Sequence, residues 1–201
     1  MPTWPEMVDV SRETRERLDI YADLLRKWNP RINLVSPRDM DRLWERHILD
    51  SLQLLPLIQG RERFIDMGSG GGFPGVVVGI AAGIPGTLIE ADQRKAAFLR
   101  EAARLTGARL TVVSARLEQV DVPAAPLVTA RALAPLGRLL EWARPLLEPD
   151  GVAVFLKGQQ AGEEIRDAER SWTMDIRSYP SLTAHDGVVL EVSNFHRVEK
   201  S

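Results

Sequence analysis

Apolar residues in the first sixty positions recur at helical spacing. Leu18, Tyr21, Leu25 and Trp28 form one stripe, and Met40, Trp44, Ile48, Leu52 and Leu55 form a second. Steps of three and four place such residues on one face, so two helices packing on a core are predicted. Asn29-Pro30 punctuates between them, because the residue before a proline avoids helical backbone. From about residue 62 the pattern changes to short apolar runs alternating with helical stretches. Strands are predicted at 64–67, 87–90, 110–113, 127–129 and 152–156. Helices are predicted from Pro74 to near Gly83 and over 92–106 with Gly107 as stop, and helical segments around 115–120 and 136–147. Pro149-Asp150-Gly151 reads as the turn into the fifth strand. The tail lacks a long helix: 174–179 and 188–195 read as an antiparallel pair, with Asp186-Gly187 as a turn signal. Strand–helix alternation with right-handed crossovers builds a mostly parallel, doubly wound sheet. The expected architecture is therefore an α/β, Rossmann-like domain over 62–201. A helical cap over 1–61 precedes it, and an antiparallel hairpin closes one sheet edge.

Composition narrows the function. The chain has 201 residues, 44% of them hydrophobic and 27% charged, and no cysteine. Those fractions are those of a globular protein of one ordinary domain. Zero cysteines exclude disulfides, thiolate zinc sites, iron–sulfur clusters and a thiol nucleophile. No apolar run reaches membrane-span length and the start has no signal-peptide pattern, so a cytoplasmic protein without membrane contact is expected. No P-loop is present, His47, His185 and His196 are the only histidines, and no metal-spaced cluster appears, so no metal is expected. The net charge of −2 argues against a protein that coats nucleic acid, but the sum hides a division. Residues 26–47 carry six basic and three acidic side chains, and residues 94–144 carry nine and four, leaving the remainder at −10. One positive face for RNA is compatible with that distribution, with few phosphate contacts and a shallow salt dependence.

The most informative segment is Asp66-Met67-Gly68-Ser69-Gly70-Gly71-Gly72-Phe73-Pro74-Gly75. Glycines at a strand-to-helix turn let the backbone approach a ligand closely. Two templates compete. The dinucleotide fingerprint fits Gly70, Gly72 and Gly75, but needs the strand to run through Gly68. An acidic residue two before G-x-G-x-G fits Asp66, Gly68, Gly70 and Gly72, the first motif of class I S-adenosylmethionine-dependent methyltransferases. Asp66, Gly68, Ser69, Gly70 and Gly72 are thus candidate cofactor-binding residues. Glu90, at the end of the second strand, is placed to accept both ribose hydroxyls of an adenosine moiety. It serves either cofactor, so a nicotinamide oxidoreductase stays open, as does a binding module without turnover; the chain length leaves little room for a dehydrogenase's substrate domain. After strand three, Ser114 to Glu118 form a loop where an adenine would lie. After strand four, Arg131 occupies the position facing the transferred group, a site role favoured over a surface charge. Lys157, directly after strand five, reads equally as a phosphate contact or a strand end.

Asn33-Leu34-Val35-Ser36, Arg46-His47-Ile48-Leu49-Asp50-Ser51, the glycine loop, Arg131-Ala132-Leu133-Ala134 and Leu156-Lys157-Gly158 follow one another in the order of one family. From about residue 20 onward the chain closely resembles bacterial ribosomal RNA small subunit methyltransferase G, also called glucose-inhibited division protein B. The resemblance implies methylation of N7 of a guanine in the 530 loop of 16S rRNA, with S-adenosyl-L-methionine as donor and S-adenosyl-L-homocysteine as product. It implies 16S rRNA, the small ribosomal subunit or an assembly intermediate as partner, and a monomer is expected. Cofactor contacts fall on Gly68, Phe73, Leu117, Glu118 and Arg131, with the ribose role on Glu90. Phe73 stands where many relatives have Leu, and Glu90 where Asp is usual. Asn33, Arg46, His47, Asp50 and Lys157 are candidate substrate contacts: Arg42, Arg46 and Asp50 lie at i, i+4 and i+8 on another helix face than the apolar stripe. Arg46 and Asp50 read alternatively as a surface ion pair. Guanine N7 carries a lone pair and no proton, so no general base is required, and Arg131 is the one candidate for a catalytic role. The Asn/Asp-Pro-Pro-aromatic motif of amine methyltransferases is absent, as is the cysteine of cytosine-C5 enzymes.

Overall fold

The computed structural model describes residues 10–198; residues 1–9, the start of the expected cap, lie outside them. The first helix, α1, spans Arg12–Ile32. It opens at Ser11, whose hydroxyl accepts the Thr14 amide at 3.2 Å, and buries Leu18, Tyr21, Ala22 and Leu25. Pro30 does not end it, contrary to the sequence reading. A proline in the last turn removes one hydrogen bond without stopping the helix, and the buried Asn29 beside it fastens the chain that follows: its side-chain oxygen accepts from the amides of Leu34 (2.7 Å) and Val35 (2.9 Å). Asn33 then turns the chain with a left-handed φ of 46°. The second stripe is not one continuous helix. It breaks into a short turn at Pro37–Asp39, a wide π-type turn at Trp44–Leu49 and short helical pieces at Asp50–Leu52 and Leu55–Ile58.

The strands are β1 (Phe64–Met67), β2 (Gly86–Ile89), β3 (Leu110–Val113), β4 (Ala125–Arg131), β5 (Leu147–Lys157), β6 (Trp172–Pro180) and β7 (Val188–Arg197). The described residues form a seven-stranded sheet in the order β3-β2-β1-β4-β5-β7-β6. β1 to β5 are parallel, and β7 lies antiparallel between β5 and the edge strand β6. The doubly wound sheet with a C-terminal hairpin is therefore as expected. The helices after the cap are α2 (Gly75–Ala82), α3 (Gln93–Thr106), α4 (Leu136–Ala143) and α5 (Ala161–Glu169). Buried strands covered on both faces read as near-continuous apolar runs: all four residues of β1 are buried. Successive residues feed opposite cores. Phe64, Leu127 and Val154 pack with the cap, α2 and α3, while Ile65, Val128 and Phe155 pack with α4, α5 and the hairpin.

The largest departures from the sequence reading are three boundaries and one additional helix. The segment 115–120 holds only a short turn at Leu117–Gln119. The helix expected to 147 ends at Ala143 and tightens through Arg144–Leu146, where Pro145 has no amide to continue it. β5 begins at Leu147, so Pro149-Asp150-Gly151 is a bulge within it, matched by a register shift between Ala125 and Leu127 of β4. Helix α5 was not anticipated, because its buried stripe is only Ala161, the partly buried Ile165 and Ala168 amid charged residues.

Candidate active site

The glycine loop follows directly on β1. Because β1 ends at Met67, Gly68 lies in the turn and the frame Asp66, Gly68, Gly70, Gly72 is the one that fits. Gly72 has a φ of +95°, and a Cβ there would meet the Tyr21 hydroxyl and Val76 at 2.7 Å. That Tyr21 hydroxyl, buried in the cap, donates to the carbonyl of Gly71, so α1 carries the loop from below. Asp66 and Gly72 are fully inside and do not line the cleft; these two proposed cofactor contacts support the loop instead. Asp66 takes the Thr129 hydroxyl at 2.8 Å, and burial pushes its carboxyl up to about 6.

Gly68, Ser69, Gly70, Phe73, Glu90, Leu117, Glu118 and Arg131 do share one cleft of about 540 Å³ at the carboxyl ends of β1 to β4. Such ends are where open α/β sheets bind ligands. Glu90 is held before any ligand arrives: one carboxylate oxygen accepts the Gly70 amide and the other the Asp92 amide, each at 2.8 Å. Glu118 accepts from Arg138 (2.9 Å) and from the Trp142 indole (3.1 Å); its carboxyl lies below the usual range, through a backbone hydrogen bond first and then these side chains. Trp142, Leu34 and Val35 also line the cleft. Trp142 escaped the sequence reading because an aromatic on an amphipathic helix reads as core, whereas Leu34-Val35 lie inside the Asn33-to-Ser36 motif.

A second cleft, of about 680 Å³, opens on the other side of Arg131. It is lined by Arg46, His47, Asp50 and Lys157 among others, and shares His47, Arg131 and Ala132 with the first. The wide turn 44–49 and Asp50 directly after it present three acceptors to one guanidinium. Arg131 donates to the Arg46 carbonyl (3.2 Å) and Asp50 Oδ2 (3.0 Å), and lies 2.6 Å from His47 Nδ1. It also lies 4.9 Å over the Phe73 ring, against which His47 stacks. Burial, then the Arg131 charge, lowers His47 to about 4. The ring is thus neutral near pH 7, its Nδ1 accepting from Arg131 and its Nε2 carrying the proton 3.6 Å from Asp39. Lys157 forms an ion pair with Glu164 (2.6 Å) and donates to the Ala134 carbonyl (2.9 Å). It locks α5 to the loop after β4 while lining the cleft. Asn33 lines neither cleft; its left-handed backbone ends α1.

A parallel sheet in this order, an acid-anchored glycine loop and a cleft over β1 to β4 define a class I S-adenosylmethionine-dependent methyltransferase fold. An O-methyltransferase from Bacillus cereus, solved in complex with SAH, superposes with a TM-score of 0.55 at 16% identity over 92% of each chain. A ribosomal protein L11 methylase from Lactobacillus delbrueckii subsp. bulgaricus gives 0.60 at 19% identity, over 74% of this chain and 78% of that one. Residues 14–188 match the family model for rRNA small subunit methyltransferase G. Ribosomal RNA small subunit methyltransferase G of Gluconobacter oxydans is 57% identical over 192 residues, 96% of this chain and 100% of that one. Its namesake in Paramagnetospirillum magneticum is 51% identical over 94% and 92% of the two chains. The chain belongs to the rRNA small subunit methyltransferase G family.

Proposed function

We infer that this chain transfers a methyl group from S-adenosyl-L-methionine to N7 of a guanine in 16S rRNA, and we place that guanine in the 530 loop. The observation that carries the reading is the pair of clefts meeting at Arg131, one built for an adenosine cofactor and one open to a large substrate. The cleft fits the cofactor: Glu90 is fixed by two amides with lone pairs left for ribose hydroxyls, and Leu34, Val35 and Leu117 offer apolar walls to a ring. When bound, that cofactor supplies a methyl on a sulfonium; N7 gains the bond to carbon as the bond to sulfur breaks.

The protein's own contribution is orientation. Guanine N7 has no proton to lose, so no side chain need act as a base. Holding nitrogen, carbon and sulfur in line at near-attack distance lowers the barrier by removing rotational and translational freedom. Arg131 is fixed by Asp50, His47 and the Arg46 carbonyl at the junction where the reacting atoms would meet. The Arg46 side chain at the second cleft and Arg116 and Lys95 at the first present positive charge to RNA. We place the protein in the cytoplasm as a monomer; no helix among the described residues is long and apolar enough to cross a membrane.

The test is incubation with labelled S-adenosylmethionine and small subunits from an unmethylated strain, with N7-methylguanine mapped by chemical strand cleavage. Label confined to the 530 loop is expected; label in another nucleobase overturns the N7 assignment. Calorimetric binding of NAD but not of S-adenosylmethionine would overturn the enzyme class.

A further inference from the structure

The outer wall of the second cleft is the loop between β6 and β7, residues 181–187. It is a compact unit. The Ser181 amide donates to the Gly187 carbonyl (2.8 Å) and the Gly187 amide to the Ala184 carbonyl (3.0 Å). The Ser181 hydroxyl accepts from the amides of Thr183 and Ala184 at 3.2 and 3.3 Å. A Cβ on Gly187 would come within 2.9 Å of Ser181 and 3.0 Å of Ala184, so the turn closes tightly on itself. A loop this well knitted moves as a body, and its position depends on what holds it from outside.

Beyond the strands that carry it, two bonds from the cap hold it. The Leu182 amide donates to Gln53 Oε1 at 2.9 Å, and the Thr183 hydroxyl donates to Asp50 Oδ1 at 2.6 Å. Gln53 is 1% exposed, and its amide nitrogen donates to the Asp50 carbonyl and to Asp50 Oδ1, both at 2.8 Å. The other oxygen of Asp50 takes Arg131. One carboxylate therefore sets the loop on one side and Arg131 on the other, at a fixed separation across the cleft.

We propose that Gln53 and Thr183 are positioning residues: they fix the β6–β7 loop as the wall of the second cleft, and that cleft takes the target purine nucleotide. This rests on the methyltransferase reading above. Neither side chain lines the cofactor cleft, so their contribution is confined to the substrate side. A wall free to shift must lose that freedom when the nucleotide binds, which weakens binding of the substrate and raises its KM. A buried glutamine whose every polar atom goes to the loop or to Asp50 is the arrangement that holds such a wall still.

The test compares wild type, Thr183→Val, Thr183→Ser and Gln53→Leu as full-length protein, on unmethylated small subunits and on S-adenosylhomocysteine alone. Thr183→Val keeps the shape and removes the bond. KM for the subunit should rise roughly tenfold, the size of one hydrogen bond to a charged group, with cofactor affinity unchanged and the thermal midpoint lowered by only a few degrees. Thr183→Ser restores KM, which a generic packing role would not predict. Gln53→Leu should raise KM likewise; should it fold poorly, the Thr183 pair carries the test by itself. An unchanged KM in Thr183→Val, or an equal loss in cofactor affinity, overturns the proposal. A wild-type protein inactive on unmethylated subunits overturns the methyltransferase reading, and this one with it.

Discussion

At the scale of single residues the site is made of groups whose environment fixes their state. Glu90 is a carboxylate held by the amides of Gly70 and Asp92, so its geometry toward a ribose exists before binding. Glu90→Ala removes a charged acceptor and should weaken S-adenosylhomocysteine binding roughly ten- to hundredfold, read by calorimetry. His47 titrates near 4 because burial and the Arg131 charge disfavour its cation. A histidine depressed by folding binds fewer protons folded than unfolded between pH 4 and 6.5, so its contribution to stability rises with pH over that window and is complete above it. Asp66, raised to about 6, acts in the opposite sense: its contribution is lost as pH rises from the ordinary aspartate range through 6. The unfolding free energy of wild type minus that of His47→Gln should therefore climb by about 1–2 kcal/mol from pH 4 to 6.5, allowing for solvent screening, and stay flat above. Denaturant titrations at four or five pH values give that difference directly. Asp66 was read as a ligand contact from its place in the motif; its buried position makes it a support for the loop, a distinction spacing cannot make.

Among elements, the glycine loop shows how strand, turn and helix constrain one another. Gly72 combines a φ of +95° with Tyr21 and Val76 only 2.7 Å from where a Cβ would stand, whereas Gly83, at φ +66°, has open space at that position. Both substitutions to alanine meet the left-handed penalty, but only Gly72→Ala also overpacks. Gly72→Ala should cost about 2–4 kcal/mol and Gly83→Ala about 1 kcal/mol, compared by urea denaturation. The loop and its frame were readable in the sequence because turn chemistry is local. Pro30 misled for the complementary reason. It costs α1 one hydrogen bond in the last turn and no more, and Asn29 fastens the chain beyond by accepting amides five and six residues on. The alanine stripe of α5 gave too small an apolar signal to register, yet that helix supplies Glu164 to Lys157.

For the molecule as a whole, the cap is not an appendage. Leu18, Tyr21, Leu25, Ile48 and Leu52 of the cap and Phe64, Val76, Leu88 and Phe98 of the α/β domain belong to one buried cluster. No dry boundary separates the two regions, so they should melt together. Tryptophan fluorescence of a Trp142→Phe, Trp172→Phe variant, whose remaining tryptophans all fall within residues 1–61, and far-ultraviolet circular dichroism should give coincident transitions; two separated midpoints would contradict it. The division of charge along the chain is not repeated around the site. Arg46, Lys95, Arg116, Arg131 and Lys157 border the clefts, interleaved with Asp50, Glu90, Glu118, Glu164 and Asp186, so basic side chains reach the site without giving its lining a net positive charge.

What the sequence determined by itself is whatever short-range chemistry encodes: the strand–helix alternation, the glycine turn with its acidic residues, and the box from Arg46 to Asp50. Periodicity says which face of an element is apolar and turn residues say where the chain bends, and neither needs a distant partner. Only the tertiary structure decided what meets what. Asp50 finds Arg131 81 residues away and Thr183 133 residues away. Trp142 lines a cleft as well as packing on the core, and Asn33 ends a helix away from both clefts. Those outcomes follow from strand order and sheet register, which bring side chains together without leaving a pattern in the linear chain.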